Sequence, residues 1–111
     1  MENPIFDRIR SDLTSNEVVL YMKGTPAFPQ CGFSAAAAQI LSMCGVKFIG
    51  IDVMADQNLR QAIKDFANWP TLPQLYVKGE FVGGSDIIKE MYLAGELQKL
   101  LQTKGVTAAA A

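Results

Sequence analysis

The chain has 111 residues, half of them apolar, with 10 basic and 11 acidic side chains that give a net charge of -1. This length suits one domain with its own hydrophobic core, and the nearly balanced charge excludes a strongly basic surface, so we expect no nucleic-acid partner. No apolar run is long enough for a membrane span and the N-terminus resembles no targeting signal, so we expect no membrane partner and a cytoplasmic location, or a mitochondrial one after presequence removal.

The first half of the chain predicts two helices that alternate with two strands. Apolar residues at helical spacing between 5 and 13 indicate the first helix, and EVVLYM at 17–22 is typical of a strand buried inside a sheet. Glycine and prolines interrupt the chain at 23–29, and the stretch SAAAAQILSMCG at 34–45 predicts the second helix. KFIGIDV at 47–53 predicts the second strand.

The second half predicts a helix, a β-hairpin and a last helical region. The helix covers 56–68 with Asp56 as its cap, and the strands PQLYV at 73–77 and EFVGG at 80–84 are joined by only two residues. The last helical region follows the hairpin and is weakened at Gly95.

This order of elements predicts an α/β fold. Helices between the first strands imply parallel pairing and the closing hairpin is antiparallel, so we expect a four-stranded mixed sheet with helices on both faces. Residues 1–106 would form a single domain, and we expect the alanine-rich tail at 107–111 to be disordered.

The chain contains two cysteines and no histidine, which excludes Cys/His and Ser/His/Asp catalysis and histidine metal sites. Cys31 lies between a loop and a helix start, where backbone amides, the helix dipole and Lys23 would stabilise a thiolate; alternatively, it is a small apolar side chain that fills a gap. A dithiol redox site would carry its second cysteine at Ser34. Cys44 lies in the apolar stripe of the next helix, roughly 20 Å from Cys31, so we expect it in the core and unable to form a disulfide with Cys31.

Three further motifs are weak on their own. Pro73 in WPTLPQ indicates the start of a strand, for which an ordinary trans bond is the simplest interpretation. GGSD at 83–86 either receives a carboxylate at a helix N-terminus or simply turns the chain. Arg60 and Lys64 lie one turn apart on a helix, either as two cations that bind one anion or as part of a solvated face.

Four separated motifs resemble the monothiol, CGFS-type glutaredoxins of the thioredoxin-like fold: KGTP at 23–26, CGFS at 31–34, WPTLPQ at 69–74 and GGSD at 83–86. The resemblance covers residues 15–104 and implies a binding site for glutathione. The residues that would bind it are Lys23, Arg60 and Lys64 for the glycine carboxylate, the backbone of Leu72 before a cis Pro73 for the cysteinyl part, and Ser85 and Asp86 for the γ-glutamyl end.

The resemblance also implies a role for Cys31. A 2Fe-2S cluster takes four thiolates, and Cys31 from each of two protomers, with one glutathione bound to each, would supply them. The implied protein is a homodimeric carrier that delivers clusters to apo iron-sulfur proteins or pairs with a BolA-like partner. The alternatives are a monothiol oxidoreductase that removes glutathione from proteins, at most weakly in this branch, and a redox-inert binding module. The family's usual GGCD motif has cysteine where this chain has Ser85, so Cys31 cannot form a disulfide with position 85.

Overall fold

The computed structural model describes residues 2–110, and they form the four-stranded mixed sheet with helices on both faces that the sequence predicts. In chain order the elements are α1 (Ile5–Ser15), β1 (Val18–Met22), α2 (Gly32–Met43), β2 (Ile49–Asp52), α3 (Gln57–Ala67), β3 (Gln74–Val77), β4 (Glu80–Gly83), α4 (Ser85–Leu93) and α5 (Glu96–Thr103). Within residues 2–110, no helix is long and apolar enough to cross a membrane.

The last helical region is two helices rather than one weakened helix. Gly95 separates α4 from α5 and has a φ of 76°, in the left-handed region that interrupts an α-helix. The sequence identified the position of the break but not its consequence, which is the division of this region into two short helices.

The sheet has the strand order β2-β1-β3-β4. Strand β1 pairs with β2 in parallel and with β3 antiparallel, which places this fully buried strand inside the sheet. Strands β3 and β4 form the predicted hairpin, and both residues of its turn, Lys78 and Gly79, have positive φ. The predicted mixed sheet, with parallel first strands and an antiparallel hairpin, is confirmed, and the structure adds the strand order.

Alternate residues of the central strands face two hydrophobic cores. Leu20 of β1 and Leu75 of β3 pack with α2, α4 and α5 on one face of the sheet. Tyr21 of β1 and Tyr76 of β3 pack with α1 and α3 on the other face. The predicted helix cap is also present, because the Asp56 side chain accepts hydrogen bonds from two backbone N–H groups of the first turn of α3.

One end of the sheet gathers the loops that carry the four motifs. The parallel strands β1 and β2 end there, β4 ends there, and the antiparallel β3 begins there. The loop at 23–31, the segment at 68–73 and the start of α4 therefore meet at this end, which we call the motif end of the molecule.

The tail at 107–111, which the sequence predicts to be disordered, is ordered as far as the structure describes it. The Lys47 N–H donates to the Thr107 carbonyl at 3.0 Å, and the Ala109 N–H donates to the Gly45 carbonyl at 2.9 Å. The prediction of disorder is wrong for these residues, because alanine-rich composition does not reveal backbone hydrogen bonds to a distant segment. The final alanine lies outside the described residues.

Candidate functional site

Cys31 is the N-cap of α2, with extended backbone (φ -152°, ψ 136°), and its side chain is half-buried. The pKa of its thiol is lowered, first by the backbone N–H of Ser34, then by the backbone N–H of Phe33, the charge of Lys23 and the Ser34 hydroxyl, while burial opposes them. These groups all favour the charged thiolate over the neutral thiol. The position of Cys31 therefore gives it the character of a nucleophile and of a metal ligand.

Ser34 does more than replace a second cysteine. Its side chain is fully buried, and its hydroxyl oxygen accepts a hydrogen bond from the Lys23 backbone N–H at 3.0 Å. The same hydroxyl lowers the pKa of Cys31 by hydrogen bonding to it. One side chain thus connects the loop after β1 to Cys31, a contact between distant segments that the local sequence does not reveal.

The loop before Cys31 is held as a small hairpin. The Gln30 N–H donates to the Lys23 carbonyl at 2.9 Å, and Thr25 and Phe28 exchange backbone hydrogen bonds at 3.2 and 3.1 Å. Gly24 has a φ of 87°, and a Cβ there would lie 2.5 Å from the Phe28 carbonyl oxygen, so only glycine fits. The hairpin displays Phe28 with 77% of its surface exposed.

Strand β2 fixes this hairpin from the side. The Asp52 carboxylate accepts hydrogen bonds from the backbone N–H groups of Gly24 at 3.0 Å and Met54 at 2.8 Å. The Pro26 ring lies so close to Gly50 that a Cβ on that glycine would be 2.5 Å from the ring. The loop that carries Lys23 and Cys31 is therefore a packed part of the fold.

A groove of about 210 Å³ opens beside the first turn of α2. Its lining residues are Phe33, Trp69, Thr71, Leu72, Gly84, Ser85, Asp86 and Ile87. Three of the predicted glutathione-binding residues, Leu72, Ser85 and Asp86, thus lie in its wall. The bond between Leu72 and Pro73 is cis, as the resemblance implies.

The start of α4 supplies free donors to this groove. Gly84 is the N-cap of α4, and within residues 2–110 no side chain caps this helix, so the backbone N–H groups of its first turn remain available. Such a helix N-terminus favours an anion, and a carboxylate is the simplest one that this groove would admit. The Ser85 backbone can serve in this way without the cysteine that the family motif usually has.

The predicted cations Lys23, Arg60 and Lys64 do not line the groove. Arg60 and Lys64 are half-buried on α3, and Lys23 is half-buried on the loop after β1. In the described part of the chain, none of these three cations forms an ion pair with a carboxylate. The Trp69 N–H donates to the Lys64 carbonyl at 3.0 Å, which joins the end of α3 to the groove wall.

Sequence reasoning missed the apolar lining of the groove. Phe33 is 65% exposed, Trp69 36% and Ile87 37%, and all three lie in or next to motifs chosen for their cysteine, prolines and glycines. The available signal in the sequence was the presence of large apolar side chains in or next to those motifs; their exposure, which usually marks a binding site, is seen only in the structure. The groove therefore combines apolar walls with hydrogen-bond donors at one end.

A single copy of the chain supplies one cysteine whose pKa is lowered, Cys31. Cys44 lies at the opposite end of α2 from Cys31, half-buried against the core, and burial raises the pKa of its thiol. Residues 2–110 contain no group of three His, Cys, Asp or Glu side chains close enough to hold a metal ion. Any cluster that needs several thiolates must therefore take the others from outside the chain.

Comparisons with known proteins agree with these observations. The sequence model of the glutaredoxin family matches residues 18–82, more than half of the chain. A ycf64-like monothiol glutaredoxin from Synechocystis is 56% identical over 86% of this chain and 89% of its own length. Glutaredoxin 4 of Escherichia coli K12 is 48% identical over 86% of this chain and 84% of its own length.

The fold also matches solved structures. Poplar GrxS14, solved in its reduced apo form, superimposes with a TM-score of 0.81 and 44% identity over 90% of this chain and 92% of its own. The four-stranded sheet with its flanking helices is thus the thioredoxin-like fold that the resemblance implies.

Proposed function

The chain belongs to the monothiol glutaredoxin family, and from this premise we propose that it is a glutathione-dependent carrier of 2Fe-2S clusters. The observation that carries the proposal is that each copy has one cysteine with a lowered pKa, Cys31 at the N-cap of α2, and that Phe33 in the first turn of the same helix lines a groove for a small ligand. The cluster is cargo that the protein holds and passes on.

The number of ligands supports a dimer. A 2Fe-2S cluster takes four thiolate ligands, and one chain offers fewer. Its second cysteine, Cys44, lies at the opposite end of α2 from Cys31, and burial raises the pKa of its thiol. Cys31 from two protomers and the thiols of two glutathione molecules supply four. The apolar side chains of Phe28 and Phe33 beside Cys31 would exclude water from the interface of such a homodimer.

Glutathione has a carboxylate at each end, and the site has groups for both. Ser85 and Asp86 at the start of α4 would receive the γ-glutamyl end through the first-turn N–H groups. Lys23, Arg60 and Lys64 would bind the glycine carboxylate, since none of them is occupied by a carboxylate of the described chain. The backbone of Leu72 before Pro73 would pair with the cysteinyl part in the manner of an added strand.

Half of the cluster ligands in this assembly are diffusible molecules, so the cluster leaves readily. We propose apo iron-sulfur proteins as recipients and a BolA-like protein as a second partner that replaces one protomer. The proposed compartment is the cytoplasm, where reduced glutathione keeps Cys31 as a free thiol.

Anaerobic reconstitution tests this proposal. The protein is mixed with iron, sulfide and glutathione, and visible absorption and gel filtration are recorded. We expect a coloured dimer from the wild type and from Cys44→Ser, and a colourless monomer from Cys31→Ser. A colourless wild-type monomer, or a cluster retained by Cys31→Ser, would contradict the proposal.

A second candidate function rests on the thiolate character of Cys31. As a monothiol oxidoreductase, the Cys31 thiolate attacks the glutathione sulfur of a glutathionylated protein, so that a Cys31–glutathione disulfide forms and the protein thiolate leaves and takes a proton. A second glutathione thiolate then attacks that disulfide, releasing oxidised glutathione and the Cys31 thiolate. Mixed-disulfide reduction separates the two functions, because turnover as fast as that of a dithiol glutaredoxin would favour the enzyme.

A further inference from the structure

Gln74 is a fully buried polar side chain behind the groove. Its Nε2 donates to the carbonyls of Trp69 and Thr71, both at 3.3 Å, and its Oε1 accepts from the Tyr76 hydroxyl at 3.2 Å. Carbonyl oxygens can only accept, so the orientation of the amide is fixed by its partners. The side chain thus connects the core to the segment at 69–71.

The segment that Gln74 holds has few other hydrogen bonds. Pro70 and Pro73 have no N–H group, and in the described chain none of residues 70–73 takes part in a backbone hydrogen bond outside the helices and strands. Trp69 itself is joined to α3 by its N–H group. The Trp69 and Thr71 carbonyls are therefore held by the amide side chain of Gln74 alone among the described residues.

The same segment forms one wall of the groove, through Trp69, Thr71 and Leu72. We infer that Gln74 is a positioning residue for glutathione, which holds this wall in its binding shape without touching the ligand. The inference rests on the proposed function, because it takes glutathione as the occupant of the groove. Gln74 would act indirectly, through its hydrogen bonds to the backbone of the groove wall.

Substitutions at Gln74 distinguish the effect of its hydrogen-bond donor from the effect of its side-chain volume. Gln74→Leu has a similar size but leaves two carbonyls and the Tyr76 hydroxyl without partners. Gln74→Glu keeps an acceptor for Tyr76 and, when ionised, removes both donors to the wall. A protonated carboxyl regains one donor, and burial raises the pKa of a carboxyl at this position. Tyr76→Phe is the matched control, because it removes only the hydrogen bond on the core side.

Trp69 is the only tryptophan, so its emission reports on the wall during a titration with reduced glutathione. We expect Gln74→Leu to weaken binding about 10-fold, the loss of roughly two hydrogen bonds, and Tyr76→Phe to change it less than about twofold. Relative to wild type at each pH, Gln74→Glu should recover affinity as the pH falls, whereas Gln74→Leu should not. Wild-type affinity in Gln74→Leu, or an equal loss in Tyr76→Phe, would overturn the inference.

A second measurement needs neither a folded variant nor bound ligand. In ¹⁵N-labelled wild-type protein, the Gln74 side-chain amide protons should exchange slowly with solvent, as expected of donors held by buried carbonyls. Rapid exchange would contradict the inference even if glutathione binds. A wild-type protein that shows slow Gln74 exchange but no response to glutathione would refute the proposed function, while the hydrogen bonds from Gln74 to the groove wall would stand.

Discussion

Cys31, Ser34 and Lys23 form one connected unit at the scale of single residues. The backbone N–H groups of Ser34 and Phe33 lower the pKa of Cys31, and the Ser34 hydroxyl also fixes the Lys23 backbone. The Cys31 thiolate is thus stabilised by groups in the first turn of its own helix and by one loop residue, Lys23. These groups are backbone N–H donors, one hydroxyl and the Lys23 ammonium, so no histidine is required, and the chain has none.

Ser34→Ala tests the two roles of the hydroxyl. Because the Ser34 and Phe33 backbone N–H groups remain, the pKa of Cys31 should rise but stay below the ordinary cysteine value, about 8.5. The Lys23 N–H loses its partner, which should cost about 1–3 kcal/mol of unfolding free energy. Iodoacetamide alkylation against pH, in a Cys44→Ser background, and urea unfolding measure the two effects.

Ser42→Ala is the matched control, since Ser42 lies on the same helix with its side chain exposed. It should change neither the alkylation profile nor the stability by a measurable amount. If Ser34→Ala behaves like Ser42→Ala in both measurements, the hydroxyl has neither role.

Sequence reasoning at this scale found groups whose chemistry is local and missed those whose partners are distant. A cysteine before a helix is recognisable as an activated thiol, and Asp56 as a helix cap. Ser34 and Gln74 act through hydrogen bonds to segments whose positions depend on the finished fold. Nothing in their neighbouring residues indicates those partners.

At the scale of elements, the hairpin at 23–30 is the part that the fold constrains most visibly. Its Pro26 ring packs on Gly50 of β2, and its Gly24 N–H is bound by Asp52 at the end of the same strand. The periodicity of the sequence predicts β2 itself but gives no reason for a glycine in the middle of it. Close approach of the loop is that reason.

Gly50→Ala should therefore disturb the hairpin through overpacking. The added methyl group would overlap Pro26, which should cost about 1–3 kcal/mol of unfolding free energy and shift the backbone amide resonances of 24–30. Gly32→Ala is the control, because a Cβ there meets no atom within 4 Å. Equal stability of the two variants, with unshifted hairpin resonances, would show that the contact with Pro26 does not constrain the loop.

The tail is held at the other end of the sheet by Glu17. Its carboxylate pairs with the Lys78 ammonium at 2.7 Å and accepts from the Thr107 N–H at 3.1 Å. These hydrogen bonds, first that of Lys78 and then those of Thr107, lower the pKa of Glu17 from 4.5 to about 2. The order of the tail is thus linked to an ionised carboxylate.

The lowered pKa of Glu17 determines how its contribution to stability changes with pH. Because the pKa is lower in the folded state, the contribution of Glu17 to stability is complete above pH 4.5 and is lost as the pH falls towards about 2. The Thr107 amide resonance should titrate with the same apparent pKa. Glu17→Gln should abolish that titration and speed hydrogen exchange of the Ala109 amide. A Thr107 resonance that titrates near pH 4.5 would contradict the assignment.

At the scale of the whole molecule, the apolar surface is distributed unevenly. The described chain exposes seven large apolar side chains, and five of them, Phe28, Phe33, Met54, Trp69 and Ile87, belong to the loops and helix starts of the motif end. Cys31 lies at the same end. The sequence predicts a mixed sheet, but the strand order that brings these loops together and the shared exposure of their apolar side chains are visible only in the fold.

This concentration of apolar surface around one thiolate is what a cluster-bridged homodimer needs. Its interface would form around the cluster, and the two glutathione molecules would lie between the protomers. Without glutathione the free cations Lys23, Arg60 and Lys64 of each copy would oppose dimerisation, so the dimer should depend on the tripeptide as well as on iron.

Native mass spectrometry of the anaerobically reconstituted protein measures this composition in a single experiment. We expect one dominant species whose mass equals two chains, two glutathione molecules and one 2Fe-2S cluster, and we expect it to be absent from Cys31→Ser. A cluster carried by a single chain, or by two chains without glutathione, would contradict it.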